Sequence, residues 1–192
     1  MEELRLNGIN KIKDGRFLKN YELNYTNKKG KPKVYEMVSY KDIKDVSEIG
    51  NGVGGAVVVA IKDGKLLLLK EFRMALNRFV YNMVAGRRES GESIEDCVKR
   101  EMYEESGLKV VNIRKTLRPA YAAAALSDVQ NQLVICDVSG EISDHTEDDE
   151  LIFAGFYDKN EVRRLLDEEP FTARAQFVAY AFSCGFFDEE KT

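Results

Sequence analysis

Between Gly86 and Leu108 the chain reads GRRESGESIEDCVKREMYEESGL, a stretch in which acids recur where a helix would bury oil. Ser93 suits an N-cap, with Asp96 three residues on as its capping-box partner, and Gly107 suits the residue after the last turn. No proline interrupts the interval, so the spacing predicts one helix over residues 94–106. At about 100° per residue, Ile94, Cys97 and Val98 share one side, and Glu101, Glu104 and Glu105 fall within it. Glu95, Asp96, Lys99, Arg100 and Tyr103 point elsewhere, where solvated charge is ordinary. Three carboxylates gathered on an inward face repel one another and lose hydration, a cost that a cation or a retained proton must offset. An all-oxygen donor set suits a hard divalent ion, Mg²⁺ first and Mn²⁺ as the alternative.

Composition alone would make such a Glu-rich helix a solvated surface element. The spacing reverses that preference. Gly86, Glu92, Arg100, Glu101, Met102, Glu104, Glu105, Gly107 and Leu108 fill every defined position of the Nudix box, G-x5-E-x7-R-E-U-x-E-E-x-G-U with U aliphatic. The chain therefore resembles the Nudix hydrolases over about residues 50 to 185. The resemblance implies hydrolysis of a diphosphate linkage, with Glu101 and Glu105 as the main metal ligands, Glu104 as a further ligand or hydrogen-bond partner, and the Ala85 carbonyl completing the shell. It also implies that Arg100 orients a neighbouring glutamate and that Glu92 holds the preceding loop to the helix.

A metal ion does not by itself fix the attacking water, so a general base is expected elsewhere. In the ADP-ribose pyrophosphatase branch that base is often a glutamate on a late acidic loop. HTEDDE, residues 145–150, stands in the matching place, with Glu147 as the first candidate and Glu150 as the second. EFR at residues 71–73, MVAG at residues 83–86 and an N-terminal β-arm resemble the same branch, whose arm helps to form a homodimer. On the substrate side the resemblance points to Arg73, Arg78, Asn82 and Asp128. Asn82 stands where that branch usually has a glutamate, and AAAALSDVQ replaces its Pro-Gly and following acid.

Several elements must position these groups. Residues 8–40 alternate in period two with many aromatic and β-branched residues, which predicts a two- or three-stranded antiparallel arm turning at KKGK. A polar, glycine-ended connection leads to AVVVAIK, a DG turn and KLLLLKEFR, an apolar hairpin. FVYNMVA reads as one further strand running into Gly86. Past the carboxylate helix, KVVNIRKTLRPAY, NQLVICDVSG and LIFAGFY read as strands, KNEVRRLLDEE as an amphipathic helix, and FTARAQFVAYAFSCGFF as a helix that packs back. The fold class is α+β, and the resemblance sharpens it to a mixed sheet sandwiched between helices, with residues 1–46 as a β-arm and 47–192 as the main domain.

The 192 residues allow a sizeable core. A net charge of −4, from 29 basic and 33 acidic residues, gives no global attraction to nucleic acid or membrane. No apolar run reaches the 18 or so residues of a membrane span, and MEELRLNGINKIKDG lacks the apolar centre of a signal peptide, so a cytoplasmic location is expected. Cys97, Cys136 and Cys184 form no CxxC pair and are read as reduced core thiols; His145, the single histidine, builds no zinc site with them at familiar spacing. The leading expectation is a Mg²⁺-dependent hydrolase of a small nucleoside diphosphate linked to a sugar or similar group. Its alternatives are a Nudix hydrolase of another diphosphate, such as a dinucleotide polyphosphate or damaged nucleoside triphosphate, and a ligand-sensing module that keeps only the fold.

Overall fold

The computed structural model describes residues 3–146 and 148–188. The chain divides into two compact units, Met1–Gly54 with Pro119–Asn131, and Gly55–Arg118 with Gln132–Thr192.

The first unit is built on an antiparallel meander, β1 (Arg5–Asp14), β2 (Lys19–Thr26) and β3 (Pro32–Ser39). The lysine-rich stretch between β2 and β3 is a turn that Asn27 organises, its side-chain oxygen accepting from the amides of Lys29 and Lys31. Period-two alternation sends Tyr21 and Leu23 to the face where Met37 and Ile43 pack. Tyr21 buries its ring there and keeps its hydroxyl satisfied, donating to the Lys41 carbonyl and accepting from the Ile43 amide. The alanine-rich stretch joins this unit through β3: the Val38 amide donates to the Leu126 carbonyl, and the Tyr35 hydroxyl donates to that of Ala125.

In the second unit, β4 (Gly55–Lys62) and β5 (Lys65–Arg73) form a hairpin whose Asp63 and Gly64 both have positive φ, 51° and 71°, as a type I′ turn requires. With β6 (Arg78–Asn82), β7 (Val84–Arg87), β8 (Lys109–Thr116), β10 (Gln130–Ser139) and β11 (Ile152–Tyr157), the sheet runs β11-β5-β4-β10-β8. The two-residue β9 (Ala120–Tyr121) pairs with the start of β10 in the first unit. FVYNMVA is not one strand, as its continuous apolar character suggests. It breaks at Met83, so that β6 pairs with β5 and β7 pairs with β4.

Both faces of β4 and β5 are covered, which is why they are apolar without alternation. Val58, Ala60, Leu67 and Leu69 meet Cys97, Val98 and Met102 of α1 (Ile94–Ser106). On the other face Val59, Leu66 and Leu68 meet Val162 and Leu165 of α2 (Lys159–Glu168) and Val178 and Phe182 of α3 (Ala173–Ser183). The result is the helix, sheet, helix sandwich expected of an α+β chain. Cys97 and Cys136 are core thiols, but Cys184 is exposed just past the end of α3, where the chain has left the helix that would have buried it. No helix among the described residues is long and apolar enough to cross a membrane.

Candidate active site

Helix α1 has the predicted bounds. Ser93 accepts from the Asp96 amide and donates its hydroxyl to the Asp96 carboxylate, while Gly107 closes the last turn at φ 73°. Its inward row passes from Cys97 and Val98 to Glu101 and Glu105. Both carboxylates meet β7: the Ala85 amide donates to Glu105 Oε2 at 3.0 Å, and the Glu101 carboxyl lies against Gly86. A Cβ at Gly86 would stand 1.7 Å from Glu101 Cδ, so only glycine lets strand and carboxylate approach this closely.

Arg100 ties the surrounding acids together. Its Nε and Nη2 form a fork on the two oxygens of Glu92 at 2.9 and 3.0 Å, and Nη2 also donates to the Arg87 carbonyl. Nη1 stands between Glu101 and Glu104, at 2.7 and 2.9 Å. Glu92 in turn accepts from the Glu89 amide, which fastens the loop before α1 to the helix.

A second network lies on β5. Leu67 and Leu69 face α1, and the next residue in that period-two row is Glu71, 5% exposed. Asn82 donates to Glu71 Oε1 at 2.7 Å, Arg73 Nε meets the same oxygen at 2.8 Å, and the Thr172 hydroxyl donates to Asn82 Oδ1.

A family model described as NUDIX domain matches residues 52–179. The chain belongs to the Nudix family. Among curated relatives, NAD-capped RNA hydrolase NudC of Vibrio parahaemolyticus is 41% identical over 58 residues, 30% of this chain and 22% of that protein. ADP-ribose pyrophosphatase of Bacillus subtilis is 36% identical over 69 residues, 35% of this chain and 37% of that protein. NAD-capped RNA hydrolase NudC of Erwinia tasmaniensis is 30% identical over 138 residues, 65% of this chain and 49% of that protein. The chain thus spans about a fifth to a half of the length of these relatives. A solved structure titled "Crystal structure of ADP compounds hydrolase" has the same fold, with a TM-score of 0.76 and 16% identity over 97% of this chain and 95% of that one.

On the Nudix helix, burial lifts the carboxyls of Glu105 and Glu101 above the usual range, Glu105 strongly. The Ala85 amide opposes the shift at Glu105, and Arg100 opposes it at Glu101. Burial likewise raises Glu71, against the pull of Arg73. The negative charge of Glu150 adds to all three shifts, which places that exposed loop residue within electrostatic reach of the group. Glu92 goes the other way: its bond to Arg100 holds it at about 2.

Other expected residues sit differently from their reading in the sequence. Glu104 is at the rim, at the edge of the inward row, its side chain 47% exposed and bonded to Arg100. As the side chains stand, no three His, Cys, Asp or Glu groups among the described residues are arranged to hold a metal ion. Asn82 was expected toward the substrate, yet it is 3% exposed and spends both ends of its amide on Glu71 and Thr172; it is a strut between protein groups. Asp128, in the first unit, is also buried: one oxygen accepts from the Gly50 amide and the other has no partner among the described residues. It borders an apolar cavity of about 490 Å³ with Tyr25, Tyr35 and Tyr121. Arg73 and Arg78 face each other across β5 and β6. Glu147 lies outside the described residues. Sequence reasoning gives Glu71 no role, although its place two residues beyond Leu69 carries the signal.

Proposed function

We propose that the chain is a Mg²⁺-dependent hydrolase that cleaves the diphosphate linkage of a nucleoside diphosphate joined to a sugar or similar group, a small substrate of the ADP-ribose kind. The observation that carries this reading is the pair Glu101 and Glu105, one helical turn apart and drawn out of water against β7, in a chain that fills every position of the Nudix box. Two desolvated carboxylates with one backbone donor and one guanidinium between them form a site short of positive charge.

The donor chemistry fits a hard divalent ion: Glu101, Glu105, Glu104 and the Ala85 carbonyl would hold it, all through oxygen. When bound, such an ion neutralises phosphate charge and lowers the pKa of a water molecule. Arg100 keeps Glu101 and Glu104 oriented through Nη1, and its fork on Glu92 fixes the guanidinium in turn. Glu147, or as the second candidate Glu150, takes the proton of the attacking water on a carboxylate oxygen. Arg73 and Arg78 are the cationic contacts for phosphate, while Asn82 acts on the substrate side only through Glu71.

A second reading, a dinucleotide diphosphate such as the NAD cap of an RNA, is favoured by the relative named for NAD-capped RNA, 41% identical over 58 residues. Incubation with ADP-ribose, sugar nucleotides, NAD, an NAD-capped RNA and a dinucleotide polyphosphate, with and without Mg²⁺, separates the readings by the products formed. Failure to cleave any of them would sink both. The meander β1-β2-β3 is proposed to contribute to a homodimer; light scattering at micromolar concentration is expected to give twice the chain mass, and a monomer would refute it.

A further inference from the structure

The acidic loop between β10 and β11 carries the only described candidate for the general base, and it is tied down at three places. At its start the Ser143 amide donates to the Ser106 carbonyl at 3.0 Å, and Ser143 packs so closely over Gly107 that a Cβ there would fall 1.9 Å from its hydroxyl. At its end the Phe72 amide donates to the Leu151 carbonyl, beside Glu71. Between them, the single histidine of the chain lays its ring on Tyr103, with centroids 4.4 Å apart and planes 24° from parallel. His145 Nε2 lies 2.9 Å from Ser143 Oγ, within hydrogen-bond distance, so the ring is held from its edge as well as its face.

The outer ties are backbone bonds, the first of which needs the glycine at 107. The middle tie depends on two particular side chains. Tyr103 is exposed on the outer side of α1, one and two residues from Glu104 and Glu105, so a ring resting on it is referenced to the same helix turn as the carboxylates. We infer that His145 is a positioning residue whose stack on Tyr103 clasps the acidic loop to the Nudix helix and so sets where Glu150 stands relative to Glu101 and Glu105. A helix surface gives a firmer reference than a loop can supply for itself, and a reacting group displaced by about 1 Å loses on the order of 10²-fold in rate. The inference rests on the reading that this loop supplies the base.

The test uses the full chain and compares His145→Ala, His145→Phe and Tyr103→Ala with the parent, by amide hydrogen exchange over residues 141–151 and by steady-state hydrolysis of the best substrate found. The alanine variants are expected to exchange faster in that segment. They should also lose about tenfold or more in kcat, with KM within about twofold and the melting temperature unchanged. His145→Phe, which keeps a flat ring for the stack, should restore both slow exchange and turnover; a merely structural loop contact would not divide kcat from KM in this way. Unchanged exchange in His145→Ala overturns the clasp, and faster exchange with parental kcat overturns its role in positioning. A parent protein that hydrolyses nothing would sink the hydrolase reading instead, and the exchange data would still decide the clasp.

Discussion

Helices α1 and α3 lie on opposite faces of β4 and β5, and they break the amphipathic rule in opposite directions. Helix α1 turns acids inward, and its ends and acids are supported: a serine cap at one end, a left-handed glycine at the other, an arginine on Glu101 and Glu104, and the Ala85 amide on Glu105. Helix α3 turns aromatics outward, with Phe177 74% and Tyr180 62% exposed. Its N-cap residue, Thr172, makes no side-chain cap; its hydroxyl donates to Asn82, which holds Glu71. A cap contributes about 1 kcal/mol. Here that contribution is missing, and the hydroxyl holds the partner of a buried carboxylate. Misplaced charge is supported by a network, whereas misplaced oil is left bare, so the support marks where the chemistry is.

The contrast can be broken most severely at Glu105. Glu105→Gln should lower Mg²⁺-dependent hydrolysis by roughly 10²-fold or more. Because burial raises this carboxyl, its ionised form opposes folding: its stabilising contribution is present at acid pH and is lost as pH rises through the shifted value. The metal-free variant should therefore be at least as stable as the parent at neutral pH, and should gain less from millimolar Mg²⁺ in thermal unfolding. Equal metal-induced shifts and equal rates would remove the site from Glu105.

Next comes Arg100. Arg100→Ala leaves Glu101 without its charged partner and should cost about 2–3 kcal/mol in denaturant unfolding. It also reports on Glu92, whose carboxyl the fold holds at about 2 against an ordinary 4.5. A depressed carboxyl stabilises above its unfolded pKa and loses that contribution as pH falls through the folded one. The parent should thus lose stability between pH 4.5 and about 2 more steeply than the variant. Parallel acid profiles would show that the fork contributes nothing. The smallest effect belongs to α3: Phe177→Ser should shift stability by no more than about 0.5 kcal/mol and leave hydrolysis unaltered.

What could be read from residues alone followed local rules. Helix α1 was legible to the residue, because caps and periodicity agree over residues 93–107. The DG turn and its apolar strands were equally plain. What escaped depended on partners distant in sequence. The wheel puts Glu104 within the inward side, and the structure leaves it at the rim, bonded to Arg100. Met83 looks like any apolar residue, and the strand breaks there because its two halves pair with different neighbours. Asn82 was judged by its place in a motif, while its burial follows from Thr172, which lies 90 residues away. Cys184 is expected inside because its neighbours are apolar, but it stands at the C-cap of α3, past the last helical residue, and is exposed.

The three thiols are chemically unequal as a result. Burial pushes Cys97 up to about 11 and Cys136 up to about 12, so neither presents a thiolate to a reagent at neutral pH. Cys184 is open to water. A maleimide or disulfide reagent should therefore attach once to the native protein, beside the last turn of α3, and reach the other two sulfurs only when the core opens. The chain carries its own single-point label, and the lag before the second and third modifications is a clock for global unfolding that needs no engineered cysteine.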